Sequence, residues 1–200
     1  IDIEVGIGLD SWTSQIRKLI INKHGDISDT QKAFTIMRKY GINSLAYVLL
    51  KPPFLTEQEA IDETILTISN AFQVGADYVS IEALAVQEYT LTDVLYRMGL
   101  FKPPWLWSIV EILNRLEFYR KNIRVSHQYV PEPYQYARNC EICSDKLETL
   151  LLKSSDDKVF EQINNFQCSC KSKWYQDKEI QVKLSIEDRI DHFLSILREE

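Results

Sequence analysis

Long apolar runs and a targeting signal are both absent from this sequence. No stretch approaches the ~20 consecutive apolar residues of a membrane-spanning helix, and the first residues lack the basic-then-apolar pattern of a secretory leader. The 200 residues carry a net charge of −6, so the molecule as a whole offers no positive surface to nucleic acid. We therefore expect a cytoplasmic protein without a membrane partner, in which any RNA contact depends on a local basic patch.

Cysteine is absent until late in the chain. The four cysteines then form two close pairs, Cys140 with Cys143 and Cys168 with Cys170. Two pairs of thiolates on either side of a short segment suit a tetrahedral zinc ion. Two disulfides, unligated thiols and a four-cysteine iron–sulfur cluster are the alternatives. We expect structural zinc, because no secretion signal accompanies the cysteines and iron–sulfur clusters usually have other spacings.

Catalytic signatures of the familiar kinds are also missing. None of the three histidines stands in a Ser/His/Asp ordering. The glycine-containing stretch "EVGIGLD" matches neither a phosphate-binding loop nor a dinucleotide fingerprint. Because Gly6 and Gly8 lie within a strand pattern, they indicate the close approach of another backbone or of a ligand.

What the chain does contain is an alternation of strand-like and helix-like segments. We predict strands over residues 3–9, 45–50, 77–83 and 122–127. Capping boxes at Ser28–Gln31 and Thr56–Glu59 mark the starts of two helices. Further helices are predicted from about residue 13, around 92–98 and within 101–116. Alternating units of this length predict an α/β fold with a parallel sheet and the helices outside it.

The composition changes after residue 128. The run 129–138 is rich in proline and tyrosine and has no period, which predicts a boundary between a domain over 1–128 and an extension over 129–200. The extension ends in a helix behind a Ser185 cap, and its apolar stripe must be buried against the side or the open edge of the first domain. That stripe comprises Ile186, Ile190, Phe193 and Leu197. Because the chain opens directly in a strand pattern, we expect a fragment of a longer protein.

One apolar run stops on a cation and a double-proline corner: Tyr47–Leu50 is followed by Lys51, Pro52 and Pro53. The carboxyl ends of strands are where α/β folds place their chemistry, because the loops there converge on one edge. Lys51 is therefore a candidate functional residue, with a solvated loop lysine as the alternative. Glu82, at the end of the third predicted strand, is a second candidate.

Several of these stretches together resemble one family. The stretches "EVGIGLDSWTSQIRKLIINKHG", "YVLLKPPFLTEQEAIDETI", "FKPPWLWSIVEIL" and "NCEIC", followed by "CSCKSKW", are similar to the second half of radical S-adenosylmethionine (SAM) proteins related to the Elongator catalytic subunit. Within that group they most resemble the archaeosine-synthase radical SAM subunits. The resemblance covers most of the 200 residues.

The resemblance implies the second half of a partial (β/α)6 TIM-like radical SAM barrel with a small, helical, four-cysteine zinc-binding extension. It implies SAM and a [4Fe–4S] cluster at the carboxyl ends of the strands, and a 5′-deoxyadenosyl radical that modifies a tRNA base or a related precursor. The implied partners are tRNA and a partner modification enzyme. The residues to which cofactor binding is assigned are Glu4, Gly6, Gly8, Asp10, Lys51 and Glu82.

The chain departs from the family pattern in one important respect, because the cluster motif Cys-x-x-x-Cys-x-x-Cys is not among the 200 residues. Two hypotheses stay open: a radical SAM enzyme whose cluster ligands lie upstream, or a non-catalytic, zinc-stabilised barrel remnant that binds RNA or protein. Lys171, Lys173 and Trp174, beside the second cysteine pair, are predicted to contact a phosphate backbone and a base. Solvated lysines beside a core tryptophan are the alternative.

Overall fold

A single parallel sheet organises the first part of the chain. The computed structural model describes residues 2–127 and 135–199. In these residues four parallel strands lie side by side in chain order. They are β1 (Glu4–Asp10), β2 (Asn43–Leu50), β3 (Tyr78–Ala83) and β4 (Ile123–Val125). The predicted parallel α/β sheet is confirmed, although β4 is shorter than the predicted strand over 122–127.

Helices connect the strands and build the extension. Their bounds are α1 (Ile27–Lys39), α2 (Glu57–Gln73), α3 (Leu91–Arg97), α4 (Leu106–Arg115), α5 (Ser144–Leu151), α6 (Asp157–Asn164), α7 (Lys171–Glu179) and α8 (Ile186–Glu199). A π-helical turn, Ile16–Ile20, follows β1, and a 3-10 helix, Glu117–Asn122, leads into β4. Over residues 2–127 and 135–199, no helix combines the length and apolar character needed to cross a membrane.

The starts of α1 and α2 test the two predicted capping boxes. At α2 the Thr56 N–H donates to the Glu59 carboxylate at 2.8 Å and the Glu59 N–H donates to the Thr56 hydroxyl at 3.3 Å, so that box is confirmed. The box at Ser28–Gln31 is wrong, because α1 begins earlier, at an Asp26 cap with Asp29 as its reciprocal partner. The Ser28 N–H donates to Asp26 at 2.8 Å, which places Ser28 inside the first turn.

Strand side chains alternate between the two faces of the sheet. One face is apolar and packs against α1 and α2, with α4 packed on α2. Its fully buried strand residues include Leu9, Val48, Leu50 and Ile81. Removing one such side chain from water stabilises the fold by about 1.5–3 kcal/mol. This burial holds the alternation in register, so the residues between them must point to the opposite face.

The extension shares the buried core of the sheet. Six of its side chains belong to the same apolar cluster as the strands: Ala137, Leu147, Leu151, Phe160, Ile163 and Trp174. The predicted linker over 129–138 lies largely outside the described residues. Where the chain is described again, Gln135 forms an isolated antiparallel bridge with Val86 after β3. The domain boundary itself stays a prediction.

Helix α8 crosses loops that follow the strands. Phe193 is 5% exposed, and its ring centroid lies 5.8 Å from that of Phe54 in the loop after β2. Arg189 donates to both carboxylate oxygens of Glu59 at 2.7 Å. The expected apolar stripe is thus buried at Phe193, whereas Leu197 stays 40% exposed. The tail covers loops at the carboxyl edge of the sheet.

Candidate functional site

The face of the sheet opposite α1 and α2 is polar, and we call it the polar sheet face. The register places on it Glu4, Gly6, Gly8, Tyr47, Tyr78, Ser80, Glu82 and Arg124, together with Leu45 and Leu49 of β2, and Ser126 follows just beyond β4. Four of the residues predicted to bind cofactor, Glu4, Gly6, Gly8 and Glu82, lie here together. The parallel register brings them to one surface, because every second residue of each strand points the same way.

Glu82 has the clearest site geometry on this face. It is the second-last residue of β3 and is half-buried at the carboxyl edge. Its Oε1 accepts hydrogen bonds from Ser80 at 2.7 Å and from Ser126 at 2.5 Å. Its Oε2 has no hydrogen-bond partner in the described part of the chain. Two hydroxyl groups therefore orient the carboxylate and leave one oxygen to accept from a ligand.

The strand glycines lie beneath longer side chains. A methyl group on Gly6 would collide with the ring of Tyr47, and one on Gly8 would lie 3.0 Å from the Lys23 ammonium. Lys23 forms an ion pair with Asp10 at the end of β1. The close neighbours of these two glycines are therefore side chains, and the approach of a backbone or of a ligand stays a prediction. The missing side chain of Gly8 leaves a space below the Lys23 ammonium, and a β-carbon at this position would partly fill that space.

Glu4 forms an ion pair with a residue of β4, the strand at the opposite edge of the sheet. Arg124 of β4 donates to both Glu4 oxygens, at 2.6 and 2.7 Å, and its guanidinium lies 4.6 Å from the Tyr78 ring centroid. The hydrogen bond to Glu4 raises the pKa of Arg124. Because Glu4 is the first residue of β1, this pair occupies the amino-terminal side of the polar sheet face. Glu82 and Asp10 lie towards the opposite, carboxyl edge.

The loop after β1 is anchored by a buried carboxylate on α2, Glu63. Its Oε1 accepts from the Ser11 hydroxyl at 2.5 Å and from the N–H groups of Trp12 and Thr13 at 3.0 Å each. Its Oε2 accepts from the Thr13 hydroxyl at 2.5 Å. The loop begins directly after Asp10, so Glu63 determines how the chain leaves β1 beside the predicted cofactor contacts.

Substitution Glu63→Ala is expected to lower the free energy of unfolding by about 3 kcal/mol, because it leaves buried backbone and hydroxyl donors without an acceptor. The neighbouring substitution Asp62→Ala is the control. Asp62 is 51% exposed and pairs with Arg115 at the surface, so its loss should cost less than about 1 kcal/mol. Urea unfolding measures both, and equal losses would contradict the anchoring role.

Lys51 follows β2 in a left-handed backbone conformation (φ 62°). Its ammonium lies 2.6 Å from Glu57 at the start of α2, and both side chains are buried. Glu57 also accepts from the Ser108 hydroxyl at 2.5 Å, and Ser108 accepts from the Trp174 indole at 2.9 Å. A buried polar chain thus joins the end of β2 to the extension. The contact between Lys51 and SAM stays a prediction; the structure supplies Glu57 as its partner.

The four cysteines meet in one group, which we call the metal knuckle (Cys140, Cys143, Cys168 and Cys170). All their sulfur atoms lie within 4.8 Å of one another, and three of the separations are 3.5–3.6 Å. Sulfur ligands at ~2.3 Å from a tetrahedral zinc ion lie about 3.8 Å apart. The Trp107 indole donates to the Cys170 sulfur at 3.3 Å, an outer hydrogen bond of the kind that supports metal thiolates. The donor set fits a single zinc ion.

A [4Fe–4S] cluster does not fit the metal knuckle. Each cysteine of such a cluster binds a different iron, so its sulfur atoms lie farther apart than ligands that share one ion. Burial raises the pKa of Cys143 to about 12. Burial acts the same way on Cys140, but hydrogen bonds with Cys143 and Cys168 outweigh it and lower the pKa to about 7. Thiols this close ionise together only when a cation offsets their charge.

The predicted nucleic-acid contacts beside the metal knuckle require a correction. Trp174 is 3% exposed and belongs to the core, so the prediction that it stacks on a base is wrong. The Lys171 ammonium lies 4.9 Å from the Trp107 ring centroid. Of the three residues, only Lys173 is exposed. They do not form a cation-plus-aromatic surface, because the helical turn that exposes Lys173 buries Trp174.

A mostly apolar cavity of about 470 Å³ opens beyond the carboxyl ends of the strands. Leu49 of β2, Ala83 of β3 and Leu84 line it, and the π-helical turn contributes Ile20. Two of the lining residues are close to Glu82: Ala83 follows it in the chain, and Leu49 pairs with it across the sheet. A mostly apolar lining with a few polar groups nearby is typical of a ligand site. The carboxyl edge thus offers an apolar wall beside an oriented carboxylate.

Sequence interpretation missed several residues of this site. The sequence patterns assign no role to Tyr47, Tyr78, Arg124, Ser126 or Lys23. A signal existed for Tyr47, Tyr78 and Arg124, because each alternates with a buried apolar residue in its strand, whereas Ser126 lies just beyond β4. No local pattern indicates that Lys23 reaches Gly8, which depends on how the loop folds back.

Comparison with known proteins places these features in context. No family model matches the chain. The chain is 32% identical over 179 residues to archaeosine synthase subunit beta of Methanosarcina acetivorans, which covers 89% of this chain and 51% of that protein. It is 30% identical over 174 residues to the protein of the same name from Thermococcus kodakarensis, covering 86% and 53%. The chain spans about half the length of these curated relatives.

A solved structure shares the fold. Elp3 of Methanocaldococcus infernus, with residues 1–46 deleted, superposes with a TM-score of 0.57 at 19% identity, over 83% of this chain and 37% of that one. At this identity the likeness shows the fold alone. The resemblance inferred from the sequence motifs is confirmed by these homologues and by the shared fold.

Proposed function

The chain is homologous to archaeosine synthase subunit beta and has the fold of Elp3, and on that premise we propose that it forms the carboxyl-terminal half of a radical SAM enzyme that modifies a tRNA base. The observation that carries the proposal is the polar sheet face, with an oriented Glu82 beside an apolar cavity. The chain-order sheet supports a partial (β/α)6 barrel, in which consecutive parallel strands are neighbours.

Two side chains described above would contact SAM, those of Glu82 and Lys23. Glu82 Oε2 would accept a hydrogen bond from an ammonium or hydroxyl group of SAM, and Lys23 would donate to its carboxylate. Gly8 leaves room beneath Lys23 for this approach. Reduced cluster and SAM together supply hydrogen-atom abstraction when bound. The chain's own contribution is to orient SAM and to keep water from the apolar cavity at the carboxyl edge.

Ligands for the cluster are not available here, since the metal knuckle contains every cysteine of the 200 residues and fits a single ion. We assign the cluster to residues outside this chain and zinc to the knuckle. The name of the relatives, a subunit beta, supports a partner subunit, and their archaeosine synthase name supports a tRNA substrate. The expected cytoplasmic location stays a prediction.

The test is SAM binding by the full-length protein that contains these residues. We expect Glu82→Gln to weaken SAM binding at least about tenfold, since hydrogen bonds to charged groups contribute about 1.5–3 kcal/mol. The control is Glu88→Gln, an exposed carboxylate in the loop after β3. Calorimetric titration gives the SAM affinity, and chromatography gives 5′-deoxyadenosine formed under anaerobic reducing conditions.

Two outcomes would contradict the proposal. Equal SAM affinity of the Glu82→Gln variant and the unmodified protein would remove Glu82 from the site. No SAM binding and no 5′-deoxyadenosine from the cluster-loaded, full-length protein would favour the non-catalytic, zinc-stabilised module.

A further inference from the structure

A wide groove runs between α5 and α6 beside the metal knuckle, and we call it the α5–α6 groove. Its volume is about 880 Å³, and it is separate from the polar sheet face. Lys146 and Leu150 of α5 form one wall, and Lys158 and Gln162 of α6 form the other. Cys143 and Cys168 of the knuckle close one end. A metal that fixes the knuckle therefore also fixes the shape of this groove.

Several polar side chains of the groove are unpaired within the part of the chain that the structure describes. The side chains of Lys158, Gln162 and Asn165 form no hydrogen bond or ion pair within the described residues, and they recur at helical spacing on the exposed side of α6. The opposite side of α6 is committed to the core through Phe160 and Ile163. The groove side thus presents a row of unused donors and acceptors to a concave surface.

The floor of the groove offers aromatic and apolar surface. Phe166 is half-buried, and the Lys146 ammonium lies 5.7 Å from its ring centroid. Ile142, at the tip of the knuckle between Cys140 and Cys143, is 88% exposed. An exposed apolar tip, a ring and an ammonium group lie along one path. This combination suits a polymer with planar bases and a negatively charged backbone better than it suits an apolar protein surface.

We propose that the α5–α6 groove binds a single-stranded segment of the RNA substrate. Lys146 and Lys158 would contact phosphates, the amides of Gln162 and Asn165 would contact base edges, and Phe166 would contact a base. The chemistry favours RNA because amide groups pair with base edges and the groove carries two lysines against one carboxylate, Glu161, in a chain of net charge −6. The proposal rests on the proposed function, which supplies RNA as the substrate.

The test compares charge reversals in the full-length protein. Lys146→Glu combined with Lys158→Glu changes the groove, whereas Lys32→Glu combined with Lys39→Glu makes the same charge change on exposed positions of α1. Fluorescence anisotropy measures binding of an unmodified tRNA transcript and of a single-stranded oligoribonucleotide of about eight nucleotides. A salt series gives the dependence of affinity on ionic strength.

We expect the groove variant to bind both RNAs about tenfold more weakly or worse, with a salt slope smaller by roughly 1.4–1.8 for the two lost phosphate contacts. The α1 variant should bind as the unmodified protein does. Gln162→Ala combined with Asn165→Ala should weaken binding without changing the salt slope, because it removes no charge.

Equal RNA affinities of the groove variant and the α1 variant would overturn the proposal and leave the groove to a protein partner. An unmodified protein that binds neither RNA would overturn it as well. SAM affinity is measured on the same samples. If SAM binds normally while RNA binding is insensitive to the groove, the groove proposal fails and the SAM-binding role of the polar sheet face stands. If the unmodified protein does not bind SAM, the proposed function fails instead.

Discussion

Serine in place of Cys143 is expected to abolish metal binding at the metal knuckle and to loosen the packing of the extension. Cys143 is buried, and its sulfur lies 3.5–3.6 Å from those of Cys140 and Cys170. The knuckle joins the chain before α5 to the chain after α6, so the metal closes the loop that carries both helices. Binding of structural zinc contributes about 10–16 kcal/mol in small zinc domains at pH 7.

The consequence should be regional. The extension contributes Leu147, Leu151 and Phe160 to the shared core, whereas the strands pack mainly against α1 and α2. We expect the midpoint of thermal unfolding to fall by about 10 °C or more, which corresponds to roughly 4 kcal/mol in a protein of this size. Hydrogen exchange should accelerate in α5 and α6 and remain slow in β1 to β3.

The measurements are metal content by mass spectrometry, thermal unfolding, and unfolding after treatment with a chelator. Ser169→Ala is the matched control, because Ser169 is an exposed neighbour of Cys168 and Cys170 and its loss keeps all four thiols. About one zinc ion per chain should be found in the control and almost none in the Cys143→Ser variant. Iron in place of zinc, or four-thiol protein that is equally stable without metal, would contradict the assignment.

Separating Lys51 from Glu57 is expected to have the second large effect. Removing one partner of a buried ion pair costs about 3–5 kcal/mol, because the other charge is left buried. The Lys51 and Glu57 side chains are 11% and 2% exposed. In Lys51→Met, Glu57 would keep its hydrogen bonds from Ser108 and the Trp105 N–H but lose its only cation within the described residues.

A double-mutant cycle tests this pair. Lys51→Met and Glu57→Gln should each lower the free energy of unfolding in urea. The double variant should lose less than the sum of the two, because neither charge is then buried alone. Lys102→Met is the control: Lys51 and Lys102 both line a small cavity of about 200 Å³ beside the start of α2, but Lys102 is exposed. Additive losses would show that the two charges do not interact.

The Lys51→Met variant also separates the stabilising role of Lys51 from its predicted contact with SAM. If Lys51 only stabilises the corner after β2, a Lys51→Met protein that is folded at low temperature should bind SAM with unchanged affinity. If Lys51 also contacts SAM, the affinity should fall under the same conditions. The SAM affinity of the folded variant, and not its stability, therefore tests the predicted cofactor role of Lys51.

Local rules predicted the elements that depend on local contacts. The capping box of α2 formed as expected, because Thr56 and Glu59 satisfy each other's backbone groups within one turn. At α1 the same rule selected Ser28, whereas the carboxylate of Asp26, two residues earlier, caps the helix. Two polar residues within one turn compete for the same N–H groups, and the choice between them depends on where the preceding loop delivers the chain.

The tryptophan of the extension shows where local reasoning fails. The stretch "CKSKW" has the composition of an RNA contact, yet Trp174 donates its indole N–H to Ser108 and is buried. Ser108 lies on α4, 66 residues away in the chain. A tryptophan in a short, mostly polar helix is buried or exposed according to which helix packs against it, and spacing within the segment does not predict that.

The sequence by itself determined the α/β alternation, the parallel sheet, the grouping of the four cysteines and the resemblance to the archaeosine synthase subunit. These follow from side-chain period, from pairs of thiols with short spacing and from motifs that are read within one segment. Only the tertiary structure decided that Lys51 meets Glu57, that Lys23 lies over Gly8, and that Glu82 is oriented by hydroxyls from two segments. The contacts of Lys23 with Gly8 and of Ser126 with Glu82 join separate segments of the chain, and only the packing of the core determines which polar groups then face one another.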